Sequence, residues 1–61
     1  MTTITATKNK NYTNLFEVSI NDGKRNTILN SFSDAFDAIN YGEDLAYKMK
    51  FTFKNQTGIT E

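Results

Sequence analysis

The chain has 61 residues, with seven Lys and Arg against seven Asp and Glu, and it contains neither Cys nor His. A domain this short buries only about 60% of its unfolded surface and usually needs a staple. Disulfides, thiolate or imidazole metal sites, cysteine or serine–histidine nucleophiles and a neutral-pH imidazole base are all excluded, so self-association is the staple left.

Carboxylates remain, but so small a domain has little room for a desolvated pocket to tune them. The expectation is a protein that is not an enzyme, with no cofactor and no metal. Charge balance and a pI near 6.2 give no footprint for non-specific nucleic-acid binding, nor enough acid for a DNA mimic. The N-terminus lacks the apolar stretch of a signal peptide, and no run approaches a membrane span. A soluble, cytoplasmic protein is expected. The sequons at Asn11 and Asn55 then read as chance products of an Asn- and Thr-rich chain. Asn, Lys, Thr and Ile have AT-rich codons, which points to an AT-rich bacterial or phage genome, and so to a host cytoplasm if phage-encoded.

Residues 1–8 are polar, with Ile4 the only sizeable apolar side chain after Met1. They read as an edge strand or a frayed arm, and residues 9–11 as the turn after it. Residues 12–20, YTNLFEVSI, show the clearest period of two, with Phe16, Val18 and Ile20 on one side. Asp22-Gly23 follows, a strong signal for a two-residue hairpin loop. That loop would set Ile20 opposite Arg25, Val18 opposite Thr27 and Phe16 opposite Leu29, with Leu15, Glu17 and Ile28 on the other face.

Residues 33–49 read as an amphipathic helix capped by Ser31 or Ser33. Asp34 and Asp37 lie near its positive end, and Lys48 and Lys50 near its negative end. At 100° per residue, Phe32, Ala35, Phe36, Ile39, Gly42, Ala46 and Met49 share the buried face, flanked by Ala38, Leu45 and Tyr47. Gly42 costs about 1 kcal/mol of helix propensity, which close approach of the helix to a strand would offset. Lys50 falls back onto the apolar face, so the helix should stop near Met49. Residues 50–54, KFTFK, read as a short strand, and 56–61 as frayed.

The fold expected is a single α+β domain over 1–61. A small antiparallel sheet, with a hairpin over 12–32, an N-terminal edge strand and a strand at 50–54, is covered on one face by one helix. Leu15, Ile28 and Thr52 would mark the open sheet face, a surface for a partner or for a homo-oligomer.

Two surfaces are candidates for function. The outer helix face holds Asp37, Tyr41, Asp44 and Lys48, with Leu45 at its border. An outward Tyr beside a Leu and ringed by charge has the make-up of a protein-interface anchor with a polar rim. The carboxylates of Asp34, Asp37 and Asp44 are spaced too widely along a helix to converge on a metal ion. Glu43, at the edge of the apolar stripe, would reach water, Arg25 or Lys50. The second surface is basic: Lys8, Lys10, Lys24, Arg25 and Lys54, with a hairpin tip that could enter a nucleic-acid groove. The stretch GKRNTILNSFSDAFDAI resembles the arm-type DNA-binding domain of phage integrases, in which strands precede a helix. The likeness spans about a third of the chain. It departs in lacking a basic run in the second strand and in having an acidic helix, and no family is assigned on it.

The expected role is a small protein-interaction module, a phage-type inhibitor or modulator that binds a larger host protein and blocks a surface. The alternative is a nucleic-acid-binding module using the basic residues.

Overall fold

The computed structural model describes residues 2–12 and 14–58. Its elements in chain order are β1 (Thr3–Lys8), β2 (Phe16–Asn21), β3 (Asn26–Phe32), α1 (Ala35–Met49) and β4 (Thr52–Gln56). The strands form one sheet in the order β3-β2-β1-β4, and α1 packs on one face. The α+β class is as expected, but the sheet is mixed. β1 and β2 pair antiparallel, as do β2 and β3, whereas β4 lies parallel to β1. Parallel neighbours cannot be joined by a hairpin. The helix is therefore the connector, carrying the chain from one edge of the sheet to the other.

The N-terminal segment is a strand, one of the two forms expected, but it does not lie at an edge. β1 is a central strand, hydrogen-bonded on both sides, with Ile4 and Ala6 fully buried. Its Thr3, Thr5 and Thr7 fall on the opposite face by alternation. A strand needs few large side chains when both edges are paired and a small residue such as Ala6 lets the helix come close. The last strand begins later than expected, at Thr52, and runs through Gln56. Thr57 beyond it is buried, its N–H and Oγ1 both donating to Asn55 Oδ1 at 3.1 and 2.7 Å. Residues 59–61, part of the segment expected to fray, lie outside the described residues.

The hairpin register differs from the two-residue expectation. Asn21 pairs with Asn26, leaving a four-residue loop at 22–25. Side chains stabilise the longer loop: Asn21 Oδ1 accepts from Gly23 N–H at 2.7 Å, and Asp22 Oδ1 accepts from Lys24 and Arg25 N–H at 2.9 Å each. Such Asx bonds let a loop satisfy its own donors. Ile20 consequently faces Thr27, not Arg25. The register then shifts between Val18 and Ser19, where Leu29 is an extra, bulged residue, so that Phe16 faces Phe32. Ile28 keeps its place on the helix-free face, opposite Ser19.

The helix starts at Ala35, not 33, because the cap is Asp34. Its backbone is extended (φ −124°, ψ 129°) and its Oδ1 accepts from Phe36 N–H at 2.8 Å. Ser31 and Phe32 stay in β3. At the other end α1 stops at Met49, as expected. Lys50 turns left-handed (φ 61°, ψ 38°), its N–H reaching the Ala46 and Tyr47 carbonyls, and Phe51 N–H donates to Ala46 O at 2.8 Å. This is a Schellman close with Lys where Gly is usual.

The core joins Ile4, Ala6, Phe16 and Val18 of the sheet to Ala35, Ala38, Ile39 and Ala46 of the helix. The buried helix face is thus made of small residues around Ile39, with Gly42 at its centre. A Cβ built on Gly42 would lie 2.5 Å from Phe53 Cε1, so the glycine permits the close seating of helix on β4 that its position suggested. Phe36 and Met49 leave the expected face, at 49% and 54% exposure. The Phe53 ring fills the space beneath Gly42, and the helix side of that contact is made of small residues.

Candidate functional site

The border of α1 is where the exposed apolar side chains acquire a pattern. Tyr41, Leu45 and Met49 stand at i, i+4 and i+8 and form one ridge along the helix. Tyr41 is held in place from below: its ring meets that of Phe32, the last residue of β3, at a centroid distance of 5.3 Å and a tilt of 50°. A tilted pair of this kind contributes about 0.5–1.5 kcal/mol beyond the area it buries. Tyr41 therefore packs on one side and offers the other, with 36% exposure. Leu45 is half-buried against the core, and Met49 completes the ridge.

The polar members of this surface lie on the solvent side of the ridge. Asp37, Asp44 and Lys48 are exposed, and Lys48 Nζ pairs with Asp44 Oδ2 at 3.1 Å across one helical turn. An exposed i,i+4 pair contributes only about 0.3–0.5 kcal/mol, so it shapes the rim more than the stability. The sequence-expected protein-binding set of Tyr41, Asp44, Leu45, Asp37 and Lys48 is thus brought together on one side of α1. Sequence reading missed Met49, assigned to the core, and the Phe32 support beneath Tyr41. The i, i+4, i+8 spacing was the available signal for Met49.

The basic residues are spread out. Lys8 ends β1 beside Phe16, with Lys10 in the loop that follows. Lys24 and Arg25 lie past the opposite end, where Thr3 pairs with Asn21. Five steps of β1 separate the two groups by roughly 17 Å at about 3.3 Å per residue. Lys54 pairs with Thr5 and so projects on the helix-free face, which it shares with Glu17. That face is mostly polar, since β1 and β4 contribute Thr3, Thr5, Thr7, Thr52, Lys54 and Gln56 to it. Ile28 is its large apolar side chain among the described strand residues, at 55% exposure, with half-buried Leu15 at the margin.

Among the described residues no three acidic, His or Cys side chains gather in a metal-binding arrangement, and no cavity opens. No helix is long and apolar enough to cross a membrane. The Asp22 carboxyl is held below its ordinary value, because the Lys24 and Arg25 N–H groups donate to it. No family model, curated protein or solved structure matches the chain, and what its surface does is read from its own residues.

Proposed function

We propose that this chain is a small non-enzymatic binding module that grips a larger protein along the ridge of Tyr41, Leu45 and Met49, with Asp37, Asp44 and Lys48 as the polar rim. The observation that carries the reading is the distribution of large apolar side chains. Tyr12, Ile28, Leu29, Phe36, Tyr41, Tyr47 and Met49 are exposed, whereas only Ile4, Phe16, Val18 and Ile39 of the buried core are larger than alanine. Single exposed apolar residues are ordinary, but a ridge of three supported by a fixed aromatic is the composition of an interface centre. In mechanism the module occludes a surface or holds its partner in one state. A richness in Asn, Lys and Ile, whose codons are AT-rich, fits a phage-type inhibitor or modulator of a host protein.

The test uses Met49→Glu, because Met49 is exposed and its loss leaves the core untouched. Leu45 and Tyr41 are less clean positions, since both pack inward. Tagged wild-type protein captures its partner from lysate, the partner is purified, and affinity is measured for wild type, Met49→Glu and Tyr47→Ser. Tyr47, 85% exposed, lies on the far flank of the helix. Met49→Glu should weaken binding about tenfold or more, the loss usual for an interface hot spot, while Tyr47→Ser leaves it unchanged. Equal affinity of Met49→Glu and wild type would remove the ridge from the interface. The nucleic-acid alternative is checked on the same sample by anisotropy of labelled duplex and single strands. Binding that collapses with added salt would favour it.

A further inference from the structure

An edge strand carries a row of backbone N–H and C=O groups without a neighbour, and folded proteins commonly blunt it with charge or proline. The two edges of this sheet differ in that respect. β4 carries Lys54 at its middle. β3 reads NTILNSF, with no charge and no proline, and all but its last residue are exposed. Its guards are the bulge at Leu29 and the Asn30 side chain, whose Oδ1 accepts from Ser31 N–H at 2.9 Å and which a pairing strand would displace.

That bulge dictates how a second strand can pair. Thr27 and Phe32 stand opposite Ile20 and Phe16 on the helix side, whereas Ile28 and Ser31 stand opposite Ser19 and Glu17 on the other. The alternation of faces is therefore inverted across Leu29. When two identical strands pair antiparallel about a two-fold axis normal to the sheet, residues directly opposite must share a face. An axis between Leu29 and Asn30 meets this condition. It sets Ile28 opposite Ser31 on the helix-free face and Thr27 opposite Phe32 on the helix face. Carried outward, the same register brings Arg25 of each copy opposite Asp34 of the other. Both residues are exposed, and Lys24 lies beside the first. The basic end of one strand thus meets the acidic end of its twin, twice.

We infer that a second copy of this chain adds to the outer edge of β3, joining two four-stranded sheets into one with both helices on the same face. The pairing is made by the sheet edge; Phe32, beneath Tyr41, borders it, whereas Leu45 and Met49 take no part in the strand register. An interface of one strand edge and two ion pairs falls below the roughly 1,000 Å² of a stable complex, so the dimer is weak and reversible.

The test is sedimentation equilibrium from micromolar to millimolar protein, paired with hydrogen exchange at both ends of that range. The expected result is a monomer–dimer equilibrium, with amides of 26–32 gaining protection on concentration and those of 52–56 unchanged. Ile28→Lys, at an exposed position, and Arg25→Glu, which sets like charges against Asp34, should each weaken the dimer at least tenfold. Met49→Glu should not. A monomer throughout, or a dimer indifferent to both edge variants, or one that protects β4 instead, overturns the inference.

Discussion

Gly42→Ala is the substitution in which local and tertiary preferences pull hardest against each other. In an isolated helix it would stabilise by about 1 kcal/mol. Here the new methyl would lie 2.5 Å from Phe53 Cε1, closer than carbon atoms tolerate, and a tight 3.2 Å from Cδ1. The ring belongs to β4, which is paired to the central strand β1, so relief requires the helix to lift or the ring to leave its seat. Overpacking of this kind costs about 1–3 kcal/mol, which exceeds the propensity gain over most of its range. The expected net loss is about 1 kcal/mol, or a fall in Tm of roughly 4–8 °C for a domain of this size. Thermal and urea unfolding followed by circular dichroism would read it. In the Phe53→Leu background, where the ring is gone, Gly42→Ala should instead be neutral or stabilising. A variant more stable than wild type with Phe53 present would refute the close seating of α1 on the sheet.

Lys50→Gly should act in the opposite direction. The left-handed backbone at Lys50 costs a non-glycine residue about 1–2 kcal/mol, and the greater freedom of unfolded glycine returns part of that. A gain of about 0.5–1 kcal/mol in urea unfolding is expected. Acid unfolding should report on Asp22, whose folded carboxyl titrates below its ordinary 3.8. The unfolded chain then takes up the proton first, so the contribution is complete above that ordinary value and is lost as pH falls through the lower, folded one. Asp22→Asn keeps an acceptor for the loop but removes the titration. Its unfolding free energy should therefore vary less with pH in that acid range than the wild type's.

Where the sequence spoke clearly, a strong period or a single steric demand lay behind it. The period of two in Phe16, Val18 and Ile20, the return of Lys50 to the apolar side, and the glycine within the helix stripe were all legible. What escaped were choices settled by partners distant in the chain. Residues 3–8 look like an edge strand or an arm until strands on both sides and a helix above bury Ile4 and Ala6. Nothing local in Thr52 to Gln56 states that its neighbour will be β1, parallel rather than antiparallel. The hairpin loop was decided by the side-chain acceptors of Asn21 and Asp22, which compete with the tight turn that Asp-Gly alone suggests. The buried helix face holds Ala35, Ile39, Gly42 and Ala46 as expected, joined by the flanking Ala38, but Phe36 and Met49 remain outside it. That last point changed the candidate surface, because Met49 moved from the expected core onto the ridge beside Tyr41 and Leu45.

The most direct test of the binding ridge is site-specific photocrosslinking. A benzoylphenylalanine is placed in turn at positions 12, 41, 47 and 49, and each protein is irradiated in lysate. A single partner captured from 41 and 49, and not from 12 or 47, is the result expected of the ridge. Adducts from 12 or 47 alone, or equally from all four positions, would contradict it.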